Sequence, residues 1–354
     1  MTSPLKIAFY AGSCIPIHAY TLNDRPLGGT ETALIRVAAA LEARGHEVTV
    51  FTSHKVPPIS KPRYLPAAQV YQHGRFDLLV LVQEWKGALF NLPAARLWFW
   101  TGDGPEQFSN YGFGDKRVVD KIERFIAVSN YHADSLCKES GFPREKASVV
   151  GNGVHLEYFA GSETRSRKRL IFTSAPYRGL ELVPSLLLEI LKTHPDIEFH
   201  GYTGMSLYDR EKPFEGPHVA NFREVASVLE KIKCATLHGN VTQAALAREY
   251  MKSTIFFYPA TVPETCCITA LEAQAAGCSI ITSNIGALAE TTGSAGIVVG
   301  GTPGSKPFMD GFVAAANKLL SDDALFHSTS EAGIAHASKE LSWERVTDRF
   351  EALL

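Results

Sequence analysis

Short apolar runs alternate with amphipathic segments along this sequence, and that alternation most constrains how the chain can fold. Residues 5–11 form one apolar run and residues 47–53 form another. Between them, residues 30–44 repeat apolar side chains about every 3.6 positions, with one face made of Ala33, Leu34, Val37, Ala38 and Leu41. A strand, a helix and a second strand in this order predict a parallel sheet with helices on both faces.

One polar segment interrupts the alternation, which then resumes. Residues 161–170 are polar and basic without apolar periodicity, so we interpret them as a hinge or linker. Strand and helix patterns restart at residue 170 and continue toward the end of the chain. The sequence therefore predicts two α/β units. Ligands of open α/β sheets bind beyond the carboxyl ends of the strands, so two facing sheets would hold a site in the cleft between them.

Composition excludes several classes of protein. The 354 residues carry a formal net charge of −2, which gives no overall basic footprint for nucleic acid. No stretch approaches the ~18 apolar residues that span a bilayer, and residues 1–12 lack the apolar run of a signal peptide. The six cysteines are scattered without CxxC spacing, which favours core thiols in a reducing cytoplasm over a zinc ribbon or a disulfide framework.

The segment Pro263–Gly286 carries the strongest group of candidate functional residues. Glu264 is expected in the loop after a strand, and Glu272 in the helix that follows. The first turn of that helix, whose unpaired N–H groups would bind an anion, is expected to comprise Thr265, Cys266, Cys267 and Ile268. An anion between two hydroxyl-binding carboxylates fits a sugar–diphosphate–ribose ligand. The spacing alone fits a capping Glu264 and a solvated Glu272 equally well.

This segment resembles the E-x7-E signature of retaining glycosyltransferases of the GT-B fold, family 4. The resemblance continues in family order over nearly the whole chain, through residues 27–52, 125–159, 174–183 and the final helix from Trp343. It implies two Rossmann-like, doubly wound domains that face a central cleft. The first domain would comprise residues 1–162 and bind the acceptor, with a C-terminal helix, residues 341–354, crossing back to it. Residues 168–340 would form the nucleotide-sugar-binding domain.

The resemblance also implies further donor-binding residues. Gly28 and Gly29 match the family's Gly-Gly loop, which approaches the donor phosphates or the acceptor, although the pair also fits a plain tight turn. Arg178 stands where the family has a Lys that binds the diphosphate, whereas Ser174 replaces a family Arg, so one cation is lost. The stretch that matches the family's nucleobase-binding segment includes Gly239 and Val241.

Residues 98–108 resemble the family segment in which a His precedes an Asp or Glu. Gly102 stands in place of that His, and Asp103 matches the second position. The resemblance implies that Asp103 contacts the sugar or the acceptor, whereas its residue type also fits a cap for the following turn. Neither an HExxH nor a DxD pattern occurs, so we expect no metal and no bound cofactor.

The sequence as a whole predicts a retaining glycosyltransferase that moves a sugar from a nucleotide-diphosphate sugar to an acceptor hydroxyl. UDP or GDP is the expected nucleotide, and the acceptor would be a glycan, a lipid-linked molecule or a small molecule. The expected catalytic residues are Glu264, Arg178 and Asp103. The alternatives are a sugar-nucleotide epimerase of the GT-B fold, a phosphorylase, and a non-catalytic protein that binds sugar nucleotides.

The expected location is the cytoplasm. Contact with the inner face of a membrane is one interpretation of a basic group formed by Lys116, Arg117, Lys121 and Arg124. A solvated helix face is the other interpretation.

Overall fold

The computed structural model describes residues 3–53, 61–205 and 217–354. The chain divides into two compact units, a first unit of Met1–Gly153 with Trp343–Leu354 and a second unit of Val154–Ser342. The sequence placed the first boundary later, at residue 162, beside the polar segment. In the structure the chain enters the second unit before that segment.

The first unit contains one parallel sheet. Its strands within the described residues are β1 (Lys6–Ala11), β2 (Glu47–Thr52), β3 (Arg63–Pro66), β4 (Phe76–Val82), β5 (Ala94–Trp100), β6 (Arg124–Ala127) and β7 (Ala147–Val149). Their order across the sheet is β3-β2-β1-β4-β5-β6-β7, and all pairs are parallel. The order reverses between β1 and β4, which is the place where ligands of such sheets bind.

Helices cover both faces of this sheet, as the apolar strands require. Those of residues 3–153 are α1 (Thr21–Asp24), α2 (Gly29–Ala43), α3 (Lys116–Val119) and α4 (Asn130–Ser140). The bounds of α2 confirm the helix predicted over residues 30–44 to within a residue at each end. Its apolar face is buried because Ala33, Leu34, Val37 and Leu41 pack into the core of the first unit.

The second unit repeats the design with a second parallel sheet. Its strands within the described residues are β8 (Arg169–Phe172), β9 (Glu198–Gly201), β10 (Ala235–Leu237), β11 (Ile255–Tyr258), β12 (Ser279–Ser283) and β13 (Gly296–Val299). Their order is β10-β9-β8-β11-β12-β13, again with parallel pairing throughout. The reversal falls between β8 and β11, so the loops after these two strands begin side by side.

Seven helices are described in the second unit. They are α5 (Val183–Ile190), α6 (Pro217–Leu229), α7 (Gln243–Met251), α8 (Ile268–Ala275), α9 (Leu288–Thr292), α10 (Lys306–Ser321) and α11 (Asp323–Glu340). No helix of the described residues is both long and apolar enough to cross a bilayer.

The last helix, α12 (Trp343–Glu351), packs on the first unit, as the family resemblance implies. The ring of Phe350 lies 5.4 Å from that of Trp98 and 6.0 Å from that of Phe9, centroid to centroid. On the polar side of the helix, the Arg44 guanidinium contacts the carboxylate of Asp348 at 2.7 Å. The apolar side chains of α12 therefore face the core of the first unit, and its charged side chains lie on the opposite side of the helix.

Candidate functional site

Two loops at the reversal point of the second sheet carry the main candidate residues. Arg178 follows β8 in a short 3-10 turn, Pro176–Arg178, and Glu264 follows β11. Because β8 and β11 pair directly, their carboxyl ends lie next to each other. The topology therefore brings together two residues that are far apart in the sequence.

Arg178 and Glu264 form an ion pair. Nη1 of Arg178 lies 2.7 Å from Oε1 of Glu264, whose side chain is only 11% exposed. Burial lowers the pKa of the Arg178 guanidinium, but the carboxylate of Glu264 more than offsets this, and the net pKa is raised. The guanidinium is therefore a permanent cation, and the N–H groups that Glu264 does not use remain able to bind an anion.

A buried tyrosine completes this arrangement. Tyr258, the last residue of β11, is fully buried, and its hydroxyl donates a hydrogen bond to Oε1 of Glu264. The hydroxyl of Ser174 donates to the Tyr258 oxygen at 3.2 Å. Sequence analysis missed Tyr258 because an aromatic residue inside an apolar run is typical of an ordinary core strand.

Two glycines allow the loops to approach so closely. Gly179 has φ of 119°, and a Cβ there would lie 2.2 Å from the carbonyl oxygen of Pro259. Gly286 has φ of 59°, and a Cβ there would lie 2.4 Å from the carbonyl oxygen of Glu264. Any larger residue at either position would have to push the backbone that carries Arg178 or Glu264.

Glu181 connects the same two loops. One of its carboxylate oxygens accepts a hydrogen bond from the N–H of Gly179 at 3.1 Å, and the other accepts from the hydroxyl of Thr261 at 2.9 Å. Sequence analysis missed this residue as well, because a Glu in a turn looks like a solvated side chain until its two partners are known.

The helix after Glu264 begins later than the sequence predicts. Thr265 and Cys266 lie in the loop, Cys267 is the N-cap, and α8 starts at Ile268. The prediction that residues 265–268 form the first turn is therefore wrong. The physical reason lies at Cys267, whose backbone is extended (φ −79°, ψ 93°) and whose carbonyl oxygen accepts the first hydrogen bonds of the helix, so that Cys267 caps α8 from outside.

The anion-binding donors at this helix consequently shift along the chain. The first backbone donor inside α8 is Ala270, which bonds to the carbonyl oxygen of Cys267 at 3.0 Å. The N–H groups of Ile268 and Thr269 come before it and have no acceptor within the helix. A helix start with two such donors is suited to a negatively charged oxygen.

Glu272 lies one turn further along α8 and is half-buried. Burial raises the pKa of its carboxyl group to about 8. No hydrogen-bond partner for this carboxyl occurs among the residues that the structure describes. A half-buried carboxyl without a protein partner can accept hydrogen bonds from a ligand's hydroxyl groups or from water, so both interpretations of Glu272 given by the sequence fit the structure.

The predicted nucleobase segment lies at the same edge of the sheet, after β10. Gly239 has φ of 71°, and Val241 is half-buried. The ring of His238 stacks on that of Tyr202, with centroids 4.4 Å apart and planes 9° apart. Two strands separate β10 from β11, so this loop lies about 15 Å from Glu264 by strand spacing.

The first unit carries the remaining predicted residues. Gly28 is the N-cap of α2 and Gly29 its first residue, so the pair stands at a helix start as expected. The buried side chain of Glu31 folds back toward this start, where a Cβ on Gly28 would lie 2.8 Å from its carboxylate. An acidic group in this position lessens the attraction of the helix start for phosphate.

Asp103 follows β5 and is held by several hydrogen bonds. Its carboxylate accepts from the hydroxyl of Ser109 at 2.9 Å and from the side chain of Gln83. Burial raises the pKa of Asp103, although these two hydrogen bonds oppose the rise. Nε2 of the buried His132 bonds to the Asp103 carbonyl oxygen at 3.0 Å. The carboxylate of Asp103 therefore connects the turn that follows it, through Ser109, with the loop after β4, through Gln83.

Gln83 is a residue that sequence analysis missed. It follows β4 and is the one non-glycine residue with positive φ, 62°, among those that the structure describes. Its side-chain oxygen also accepts from the thiol of Cys14 at 3.1 Å. Unfavourable backbone geometry of this kind is common where a side chain must be held in one direction.

The basic group near residue 117 is partly neutralised. Arg117 pairs with Asp115 at 2.8 Å, and Arg124 donates to the hydroxyl of Ser148 at 2.6 Å.

The described ranges contain no group of three or more His, Cys, Asp or Glu side chains placed to hold a metal ion.

In comparison with known proteins, the second unit is similar to glycosyltransferases. Residues 175–336 match the family model described as Glycosyl transferases group 1. The chain is 27% identical to the D-inositol 3-phosphate glycosyltransferase of Streptomyces bingchenggensis over 69% of its length and 55% of that protein. It is 22% identical to the protein of the same name from an Arthrobacter species, over 98% of this chain and 93% of that one. The matched region thus spans about half of the Streptomyces relative.

Solved structures share the fold of the whole chain. Anabaena Alr3699/HepE in complex with UDP and glucose superimposes with a TM-score of 0.76 at 16% identity, covering 99% of both chains. A glycosyltransferase from Rickettsia africae gives a TM-score of 0.74 at 16% identity, covering 99% and 98%. The predicted GT-B class, two Rossmann-like domains with parallel sheets, is confirmed, and the transferase class predicted from the sequence is supported.

Proposed function

We propose that this protein is a retaining glycosyltransferase that uses a nucleotide-diphosphate sugar. The observation that carries the proposal is the Arg178–Glu264 pair beside the start of α8, at the reversal point of the second sheet. These residues fall within the range that matches glycosyl transferases group 1. A cation, two free amide donors and a hydroxyl-binding carboxylate are the groups that a sugar diphosphate requires.

The donor would lie along the carboxyl edge of the second sheet. The diphosphate would contact Arg178 and the N–H groups of Ile268 and Thr269, and Glu264 would accept hydrogen bonds from the sugar. The ribose hydroxyls would bind Glu272, and the base would lie against the backbone near Gly239. The similar Anabaena structure is described in complex with UDP and glucose, so UDP is the first nucleotide to test, ahead of GDP.

The reaction would break the bond between the anomeric carbon and the diphosphate oxygen. The sugar then develops oxocarbenium character, while negative charge grows on the leaving phosphate. Arg178 and the amide donors of α8 would stabilise that charge, which is the larger part of the catalytic task. Family resemblance, rather than any residue here, is the ground for retention with attack from the same face, the acceptor proton passing to the leaving phosphate.

The first unit would bind the acceptor. Asp103 is the residue proposed to contact the acceptor or the transferred sugar, because hydrogen bonds fix its direction. Several relatives are named D-inositol 3-phosphate glycosyltransferase, so phosphorylated polyols belong in any acceptor panel. A cytoplasmic location and contact with a membrane remain predictions.

A thermal-shift screen of UDP-, GDP- and ADP-sugars tests the donor. A ligand that binds only the native state raises Tm, so one nucleotide series should stand out. NMR of the product made with an acceptor should then show the anomeric configuration of the donor retained. Conversion of the sugar nucleotide without an acceptor would indicate an epimerase, and binding without turnover across the panel would indicate a non-catalytic protein.

A further inference from the structure

The carboxylate of Glu264 is held on one side only. Its Oε1 atom accepts hydrogen bonds from the Tyr258 hydroxyl and from Nη1 of Arg178. Its Oε2 atom has no hydrogen-bond partner among the described residues, although the residue is only 8% exposed. This oxygen is not among the buried atoms that lack a partner, so it keeps some access to solvent. An acceptor that is held from one side and open on the other is a place where a ligand donor fits.

The backbone of Glu264 is fixed as firmly as the Oε1 atom. The Glu264 carbonyl oxygen accepts from the N–H of Ala287 at 2.7 Å, and the residue bridges Gly286. These backbone contacts fix the Cα and the main chain of Glu264, so a backbone movement does not change where its carboxylate points. The direction of Oε2 then depends on the two donors that hold Oε1.

Of these two donors, only Tyr258 has no proposed contact with the ligand. Its ring is fully buried in β11, and its oxygen accepts from Ser174 while its proton goes to Glu264. Burial raises the pKa of the Tyr258 phenol well above its ordinary value, so the group stays a proton donor over the working range of pH. Arg178, in contrast, would also have to follow the leaving diphosphate.

We propose that Tyr258 is a positioning residue that holds Oε1 of Glu264 so that Oε2 is directed at a hydroxyl group of the donor sugar. This inference rests on the proposed function. The Ser174 hydroxyl donates to the Tyr258 oxygen and so orients the phenol. Ser174, which stands where the family has an Arg, would therefore act on the site through Tyr258. The expected ligand group is a sugar hydroxyl because Oε2 of a carboxylate can only accept.

The test compares Tyr258→Phe with Tyr250→Phe. Tyr250 is another fully buried tyrosine of the second unit, whose oxygen lies 2.5 Å from the Thr173 hydroxyl and contacts neither Glu264 nor Arg178 in the described structure. Calorimetry with UDP and with UDP-glucose, or the GDP pair if the screen selects GDP, gives the ratio of the two affinities. Steady-state kinetics gives kcat and KM.

We expect Tyr258→Phe to leave UDP affinity within about 2-fold while the ratio falls by about 10-fold and kcat by about 100-fold. Tyr250→Phe should keep the wild-type ratio. An unchanged ratio and kcat in Tyr258→Phe, or an equal loss for UDP and UDP-glucose, would overturn the proposal. If Tyr258→Phe does not fold, Ser174→Ala keeps the ring in place and should show a smaller loss of the ratio, and an unchanged ratio there also counts against it.

A crystal structure of Tyr258→Phe separates this proposal from the proposed function. A rotated Glu264 side chain is expected, and an unmoved one contradicts the positioning role whatever the protein binds. A wild-type protein that binds no sugar nucleotide would instead refute the proposed function.

Discussion

Arg178 and Glu264 lie 2.7 Å apart, so the cation expected to hold the diphosphate and the carboxylate expected to hold the sugar form one unit. Each side chain is directed by the other. Loss of either side chain would leave the other as a partly buried charge without its partner. The remaining side chain would then be poorly oriented, and the free energy of folding would become less favourable.

The first prediction follows from this pairing. Arg178→Ala and Glu264→Ala should each lower kcat by about 100-fold or more, and the double variant should lose far less than the product of the two, since groups that act together are not additive. Arg167→Ala is the matched control, because Arg167 pairs at 2.7 Å with the exposed Asp323 in the same unit. Fully additive losses would show that the two residues act independently.

The second prediction concerns the pH dependence of nucleotide binding. Burial raises the pKa of Glu272 to about 8, so the carboxyl group is mostly protonated at neutral pH. A ribose that donates two hydrogen bonds needs the ionised form, so binding of UDP should release a proton. Affinity should then rise with pH, by up to about 10-fold per unit, and level off above the pKa.

Calorimetry of UDP in buffers with different ionisation enthalpies counts that proton. Glu272→Gln cannot lose a proton, so its affinity should be weaker and flat over the same range. A wild-type slope that persists in Glu272→Gln would assign the pH dependence to another group.

The third prediction uses two glycines of the second unit. A Cβ at Gly286 would lie 2.4 Å from the carbonyl oxygen of Glu264, whereas one at Gly300 would meet nothing within 4 Å. Gly286→Ala should therefore displace Glu264 and lower kcat/KM by about 100-fold. Gly300→Ala should keep wild-type activity. Equal activity of the two variants would show that the position of Glu264 does not limit the reaction.

The fourth prediction concerns acid stability of the first unit. Burial lowers the pKa of His132 from its ordinary value of 6.5 to about 4. Between about pH 6.5 and pH 4, this imidazole is protonated in the unfolded chain and neutral in the native state. The free energy of unfolding should therefore fall as the pH drops through this range. This slope should be smaller in His132→Gln and unchanged for the exposed His327→Gln.

Tryptophan fluorescence during urea unfolding measures this selectively. The sequence contains four tryptophans, and all of them, Trp85, Trp98, Trp100 and Trp343, belong to the first unit. A wild-type slope that matches that of His132→Gln would contradict the assignment of the proton to this imidazole.

The sequence predicts much of the fold because strands buried on both faces leave continuous apolar runs. It also predicts that Arg178 and Glu264 belong to one site, since both match family positions at strand ends. It cannot predict that they pair, because their contact depends on strand order and on close backbone approach at Gly179 and Gly286.

Other site residues carry no sequence signal of their own. Tyr258 has the pattern of a core residue, and Glu181 that of a surface turn. The start of α8 was predicted too early because its N-cap, Cys267, makes no side-chain capping hydrogen bond and is not a residue type that marks a helix start in a sequence. Gln83 shows its role only through positive φ, which no sequence pattern encodes for a glutamine.

The return of α12 has a consequence for synthesis on the ribosome. The second unit, Val154–Ser342, is continuous in the chain and leaves the exit tunnel before α12 does. Until α12 has been made, the aromatic surface around Trp98 that Phe350 covers stays open. A nascent chain therefore carries a complete second unit while its first unit still lacks one helix, and α12 completes the first unit only after the second has been made.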